Sequence, residues 1–128
     1  RELRAALRVG GLGSTKVSIW VRPGQCLFDG IDIEAWLDEG LCDEVVAGPY
    51  PGDKELLMGA PQWRQRVREC VPLLGGIACS NAAEARADIR RYLKEGYDGI
   101  CTYECNDAVN MPSMIELYRR LRRPAAEH

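Results

Sequence analysis

The chain has 128 residues, 46% of them hydrophobic and 28% charged, which suits one folded domain over 1–128 and argues against disorder. Its net charge of −2 gives no electrostatic footprint for nucleic acid or an anionic membrane. No apolar run approaches the ~20 residues of a membrane span and no signal peptide is visible. The expected setting is therefore the cytoplasm, with a small-molecule substrate as partner and neither nucleic acid nor membrane.

Leu3 and Leu7 lie four apart between Arg1 and Val9, with arginines on the other face, and predict a short amphipathic helix that Gly10-Gly11-Leu12-Gly13 ends. Lys16 to Arg22 alternates as a first strand, with Val17, Ile19 and Val21 on one face and Ser18, Trp20 and Arg22 on the other. After the loop opened by Pro23 to Cys26, Asp32 caps a helix running to Glu39, and Gly40 stops it. A second strand from Asp43 to Ala47 leads into Gly48-Pro49-Tyr50-Pro51-Gly52, and a helix from Gln62 to Cys70 follows. Val71 to Ala78 is the third strand. Asn81 with Glu84 forms a capping-box pattern for a helix to Glu95. Gly99 to Glu104 is the fourth strand, and Pro112 starts a last helix ending near Arg122.

One joint in this series occurs twice. Trp36-Leu37-Asp38-Glu39-Gly40-Leu41-Cys42-Asp43 and Tyr92-Leu93-Lys94-Glu95-Gly96-Tyr97-Asp98 each read as a helix end, a glycine stop and the entry to an apolar strand. Alternating strands and helices imply an α/β fold with a parallel sheet and right-handed crossovers. The polar residues expected on one sheet face (Ser18, Trp20 and Arg22, with Thr102 and Glu104) favour a barrel interior over a doubly covered sheet. Four βα units make half of a TIM (β/α)8 barrel, which takes ~250 residues. A lone half-barrel leaves two strand edges open, and closure by a second copy around a two-fold axis would remove them.

Six cysteines, Cys26, Cys42, Cys70, Cys79, Cys101 and Cys105, contain no CxxC pair. Cys42, Cys70 and Cys101 sit in or beside apolar segments and read as reduced core residues, as expected in a reducing compartment.

From Asp32 through Asp43, followed by Gly48-Pro49-Tyr50, the chain resembles glycoside-hydrolase-like (β/α)8 barrels, the group labelled family 10 glycosylhydrolase-like. That family's helix end, W-(V/L)-x-E-G-L-x-D, is matched by Trp36 to Asp43, and Val17 to Arg22 and Tyr97 to Ile100 fit the same alignment. The resemblance implies that 16–122 correspond to strands five to eight with their helices, the C-terminal half of the domain. It also implies a hydrolase, although such glycosidases use two carboxylates and at least one usually lies on an early strand.

In parallel barrels the site lies at the C-terminal strand ends. Glu104 is the leading candidate there, as base or nucleophile on a glycoside or phosphate ester, with a salt bridge to Arg22 as its alternative use. Arg22 suits an anionic substrate group, and Tyr50 and Trp20 suit stacking on a sugar. Against that, Trp20 equally suits filling the barrel, and Tyr50 bracing its loop. Tyr103, Asn106, Ser80 and Asn81 complete the expected binding rim, the amides after Asn81 being suited to phosphate. No cofactor is required on this reading. The alternative is Zn²⁺ held by Cys26, Cys79, Cys105 and Asp107, whose spacing matches no recognised zinc motif. A third reading is a non-catalytic, carbohydrate-binding or orphan barrel fragment.

Overall fold

The computed structural model describes residues 1–22, 30–49, 59–78 and 82–102. Its elements run α1 (Glu2–Val9), β1 (Ser18–Val21), α2 (Ile33–Asp38), β2 (Glu44–Ala47), α3 (Ala60–Arg64), β3 (Leu73–Ile77), α4 (Ala82–Lys94) and β4 (Gly99–Thr102). The four strands form one parallel sheet in the order β1-β2-β3-β4. Strands laid down in sequence order, each joined to the next by a right-handed crossover, carry their connecting helices on one face. The core agrees. It joins Val21, Val45, Ala47, Leu73 and Ile77 of the strands to Ile33, Trp63, Val67, Ala85, Ile89 and Tyr92 of the helical layer.

Local chemistry sets the helix limits. The Asp32 carboxylate accepts from the Ala35 N–H at 3.1 Å, the expected N-cap. Leu41 N–H reaches the Trp36 carbonyl at 2.8 Å and Gly40 N–H reaches Leu37 at 3.2 Å, a Schellman ending that places Gly40 at a φ of 65°. Gly96 ends α4 in the same way at a φ of 89°. The third helix differs from expectation. It starts at Ala60, because Pro61 is preorganised for a first turn and the Gln62 side chain accepts from the Gly59 N–H at 3.2 Å. It ends at Arg64, and turns carry the chain on to Val71. Cys70 lies in those turns and is exposed, which corrects its reading as a core residue; Cys42 is buried, Cys101 is half-buried, and all three are free thiols. The last helix expected from Pro112, and the Asn81 cap, lie outside the described residues.

The repeated joint extends into a repeated clamp. The Asp43 N–H donates to the Val17 carbonyl at 2.8 Å, and its carboxylate accepts from Val17 N–H at 2.7 Å and from the Arg4 guanidinium. Arg4 also donates to the Thr15 carbonyl at 3.2 Å. One repeat later, Asp98 N–H donates to Leu73 at 2.9 Å, and its carboxylate accepts from Leu73 N–H at 2.7 Å and from Arg64. Arg64 donates to the Val71 carbonyl at 2.8 Å. Each clamp ties a helix to the start of the next strand and to the strand after that. The units α1-β1-α2-β2 and α3-β3-α4-β4 are therefore structural repeats.

Candidate functional site

The C-terminal ends of the strands converge around two glycines. Gly48 follows β2, and its N–H donates to the Val21 carbonyl at 3.1 Å, so it lies against the end of β1. A Cβ on Gly48 would stand 2.5 Å from the Gly76 Cα, so only glycine permits this approach. The indole of Trp20 lies across the same place. Its Nε1–H donates to the Gly48 carbonyl at 3.1 Å, and a Cβ on Gly76 would stand 2.5 Å from its Cζ2. Trp20 thus reaches from β1 over β2 to β3 and remains only half-buried. Sequence alternation explains its direction, because Val21 and Ile19 turn toward the helices and leave Trp20 on the opposite face.

The other face of the same strand is held from below. Tyr92 lies where a Gly75 Cβ would come within 2.3 Å of its ring, and its hydroxyl donates to the Gly76 carbonyl at 2.8 Å. Tyr97 packs edge-on against Tyr92 at a centroid distance of 4.8 Å. Burial pushes both phenols well above their ordinary pKa, so neither is a ready proton carrier at neutral pH. Gly75 and Gly76 therefore let aromatic rings press on β3 from both faces, which explains the Gly-Gly pair in an otherwise apolar strand.

Arg22 directly follows β1 in the chain and is half-buried. Thr102 departs from expectation. It pairs in register with Ile77, and Gly76 pairs with Cys101. Since Trp20 covers Gly76, the face opposite the helical core carries Cys101, while Thr102 shares the core-facing side with Ile77. Alternation within β4 fixes two parities; only pairing with β3 decides which parity faces inward. On that same face, opposite the helical core, Ser18 also donates to Glu44 near the N-terminal end, and Leu74 is half-buried.

Of the expected site residues, Trp20 and Arg22 are described and lie together at one end of β1. Glu104, Tyr50, Tyr103, Asn106, Asn81 and Ser80 lie outside the described residues, as do Cys26, Cys79, Cys105 and Asp107. Among the described residues no three His, Cys, Asp or Glu side chains cluster as metal ligands. Nor is any described helix long and apolar enough to cross a membrane. In the sequence Gly75-Gly76 reads as a close backbone approach, but not as one made by Trp20 and Gly48. Gly48 and the Gly75-Gly76 pair were its signal, since an unforced strand seldom contains glycine. No family model matches the chain, and no curated protein matches it.

Proposed function

We propose that this chain is a (β/α)4 half-barrel that closes with a second copy into an eight-stranded ring and acts as a hydrolase on glycosides or phosphate esters at the C-terminal strand ends. One observation supports the reading: a half-buried indole, hydrogen-bonded to Gly48 and lying against Gly76 on the sheet face opposite the helical core, two residues before an arginine. A flat aromatic surface packs against the apolar face of a sugar ring. Its hydrogen bond to Gly48 and contact with Gly76 preorganise it, so little entropy is lost on binding. Arg22 supplies a planar fork for a phosphate or carboxylate.

Glu104, immediately beyond the strand β4, acts as base or nucleophile, and Tyr50, Tyr103 and Asn106 orient the substrate. A glycosidase needs two carboxylates across the bond, and a closed pair of chains contains Glu104 twice. A phosphate ester needs a base and a cation, which Glu104 and Arg22 provide. The test is turnover of aryl glycosides and aryl phosphates by the full chain. Glu104→Gln is expected to lower kcat by roughly 100-fold or more, and Trp20→Ala to raise KM with a smaller change in kcat. Unchanged turnover in Glu104→Gln would reject the assignment.

A further inference from the structure

The repeat identifies what fits the open edges of the sheet. Superposing the clamps makes Asp43 equivalent to Asp98, Arg4 to Arg64 and Val17 to Leu73, so β1 is a β3-type strand and β4 a β2-type strand. Within the chain, the far side of β2 already takes β3, pairing Val45 with Leu73, Val46 with Leu74 and Ala47 with Gly75. Among the described residues β1 pairs only with β2, and β4 only with β3. The two outer edges are thus of the same two types that meet at the centre of the sheet.

The helices repeat the pattern. Trp63 and Val67 are both 0% exposed, and Leu37 packs on the cluster that contains them. Their repeat mates are Leu3, Leu7 and Leu93. Leu3 is 59% and Leu93 56% exposed, and Leu7 is half-buried. The same apolar positions are covered where the two repeats meet and uncovered where the chain's own repeat stops.

We infer that a second copy of this chain docks head-to-tail on β4, continuing the interface between the chain's own repeats. This deepens, and rests on, the closed-ring part of the proposed function. The register follows from β2 and β3: Ile100 opposite the partner subunit's Val17, Cys101 opposite the partner subunit's Ser18, and Thr102 opposite the partner subunit's Ile19. Leu93 then lies against the partner's Leu3 and the partner's Leu7. The ion pairs Arg66–Glu34 and Arg68–Asp38 that span α2 and α3 have no counterpart. Their mates are Ala6 with Arg90, and Arg8 with Lys94, so this junction rests on strand pairing and apolar contact. Surface ion pairs of that kind contribute little, and the like charges of Arg8 and Lys94 add only a modest repulsion that salt screens. Two such junctions close a ring of eight strands, removing both edges.

Native mass spectrometry and oxidative cross-linking test this on the full chain. Neighbouring strands lie ~4.8 Å apart, inside the Cα separation a disulfide spans. In Ser18→Cys, mild oxidation is expected to give a covalent dimer in which peptide mapping finds Cys101 joined to residue 18. Lys16→Cys is expected to give no link to Cys101. Leu3→Glu with Leu93→Glu, both at exposed positions, is expected to weaken the unmodified dimer about tenfold or more, while Leu12→Glu leaves it unchanged. A monomer at tens of micromolar overturns both the junction and the closed ring. A dimer that links Cys101 to residue 16, or ignores the leucine changes, overturns this junction alone. A correctly linked dimer that hydrolyses nothing supports the junction and rejects only the hydrolase reading.

Discussion

Asp43 and Asp98 each hold a strand start through a backbone N–H and an arginine. In both, the hydrogen bond from the backbone N–H is the main reason the carboxyl stays below the usual carboxylate range. A depressed carboxylate stabilises the fold above its unfolded pKa, near 3.9, and that contribution disappears as pH falls through the lower folded value. Asp43→Asn and Asp98→Asn are each expected to cost about 0.5–1.5 kcal/mol at neutral pH, discounted for side chains that are 39% and 48% exposed. They should also flatten the loss of stability as pH falls below about 4. Urea unfolding at a series of pH values measures both, and an unaltered pH slope would show that the clamps are not what titrates. The clamps were not legible in the sequence, since the partners lie far apart in the chain and Arg-to-Asp spacing differs between the repeats. What was legible was Asp32 as a cap and Gly40 as a stop, because both act within a few residues.

Among the described residues the strands and helices followed from pattern with modest errors at their ends. The doubled helix–glycine–strand joint proved to be the visible part of a larger repeat. The third helix was placed too late because the apolar spacing of Trp63 and Val67 continues through turns that are not α-helical. Thr102 was assigned to the wrong face because a short strand's alternation carries no absolute direction until a neighbour pairs with it. The packing of β3 yields a graded prediction. In Gly76→Ala the new methyl meets chiefly the far end of Trp20, with the Gly48 Cα at 3.0 Å, so displacing the indole is expected to cost about 1–3 kcal/mol and change tryptophan fluorescence while the sheet persists. In Gly48→Ala it meets Gly76 backbone, which cannot give way, so the loss is expected to reach about 3 kcal/mol or more. Urea midpoints rank the two variants, and a Gly48→Ala protein as stable as the unmodified chain would contradict the close approach.

At the scale of the molecule, the in-order sheet has a kinetic consequence. Each strand finds its partners among its immediate neighbours in the chain, so the sheet assembles from local contacts and little loop entropy opposes it. A sheet of this kind can gather as it leaves the ribosome, one clamped pair and then the next. The proposed junction with a second copy would be different in kind, since no chain connectivity brings those edges together. Refolding should accordingly show a fast phase independent of protein concentration, in which the sheet forms, and a slower phase whose rate rises with concentration. Stopped-flow fluorescence across a tenfold range of protein resolves the two, and a single concentration-independent phase would mean that the edges remain open. Until that proposed second step the outer edges of β1 and β4, unpaired among the described residues, would stay available to other chains. Expression level would then set a contest between ring closure and aggregation, and dilution would leave the chain longest in its vulnerable form.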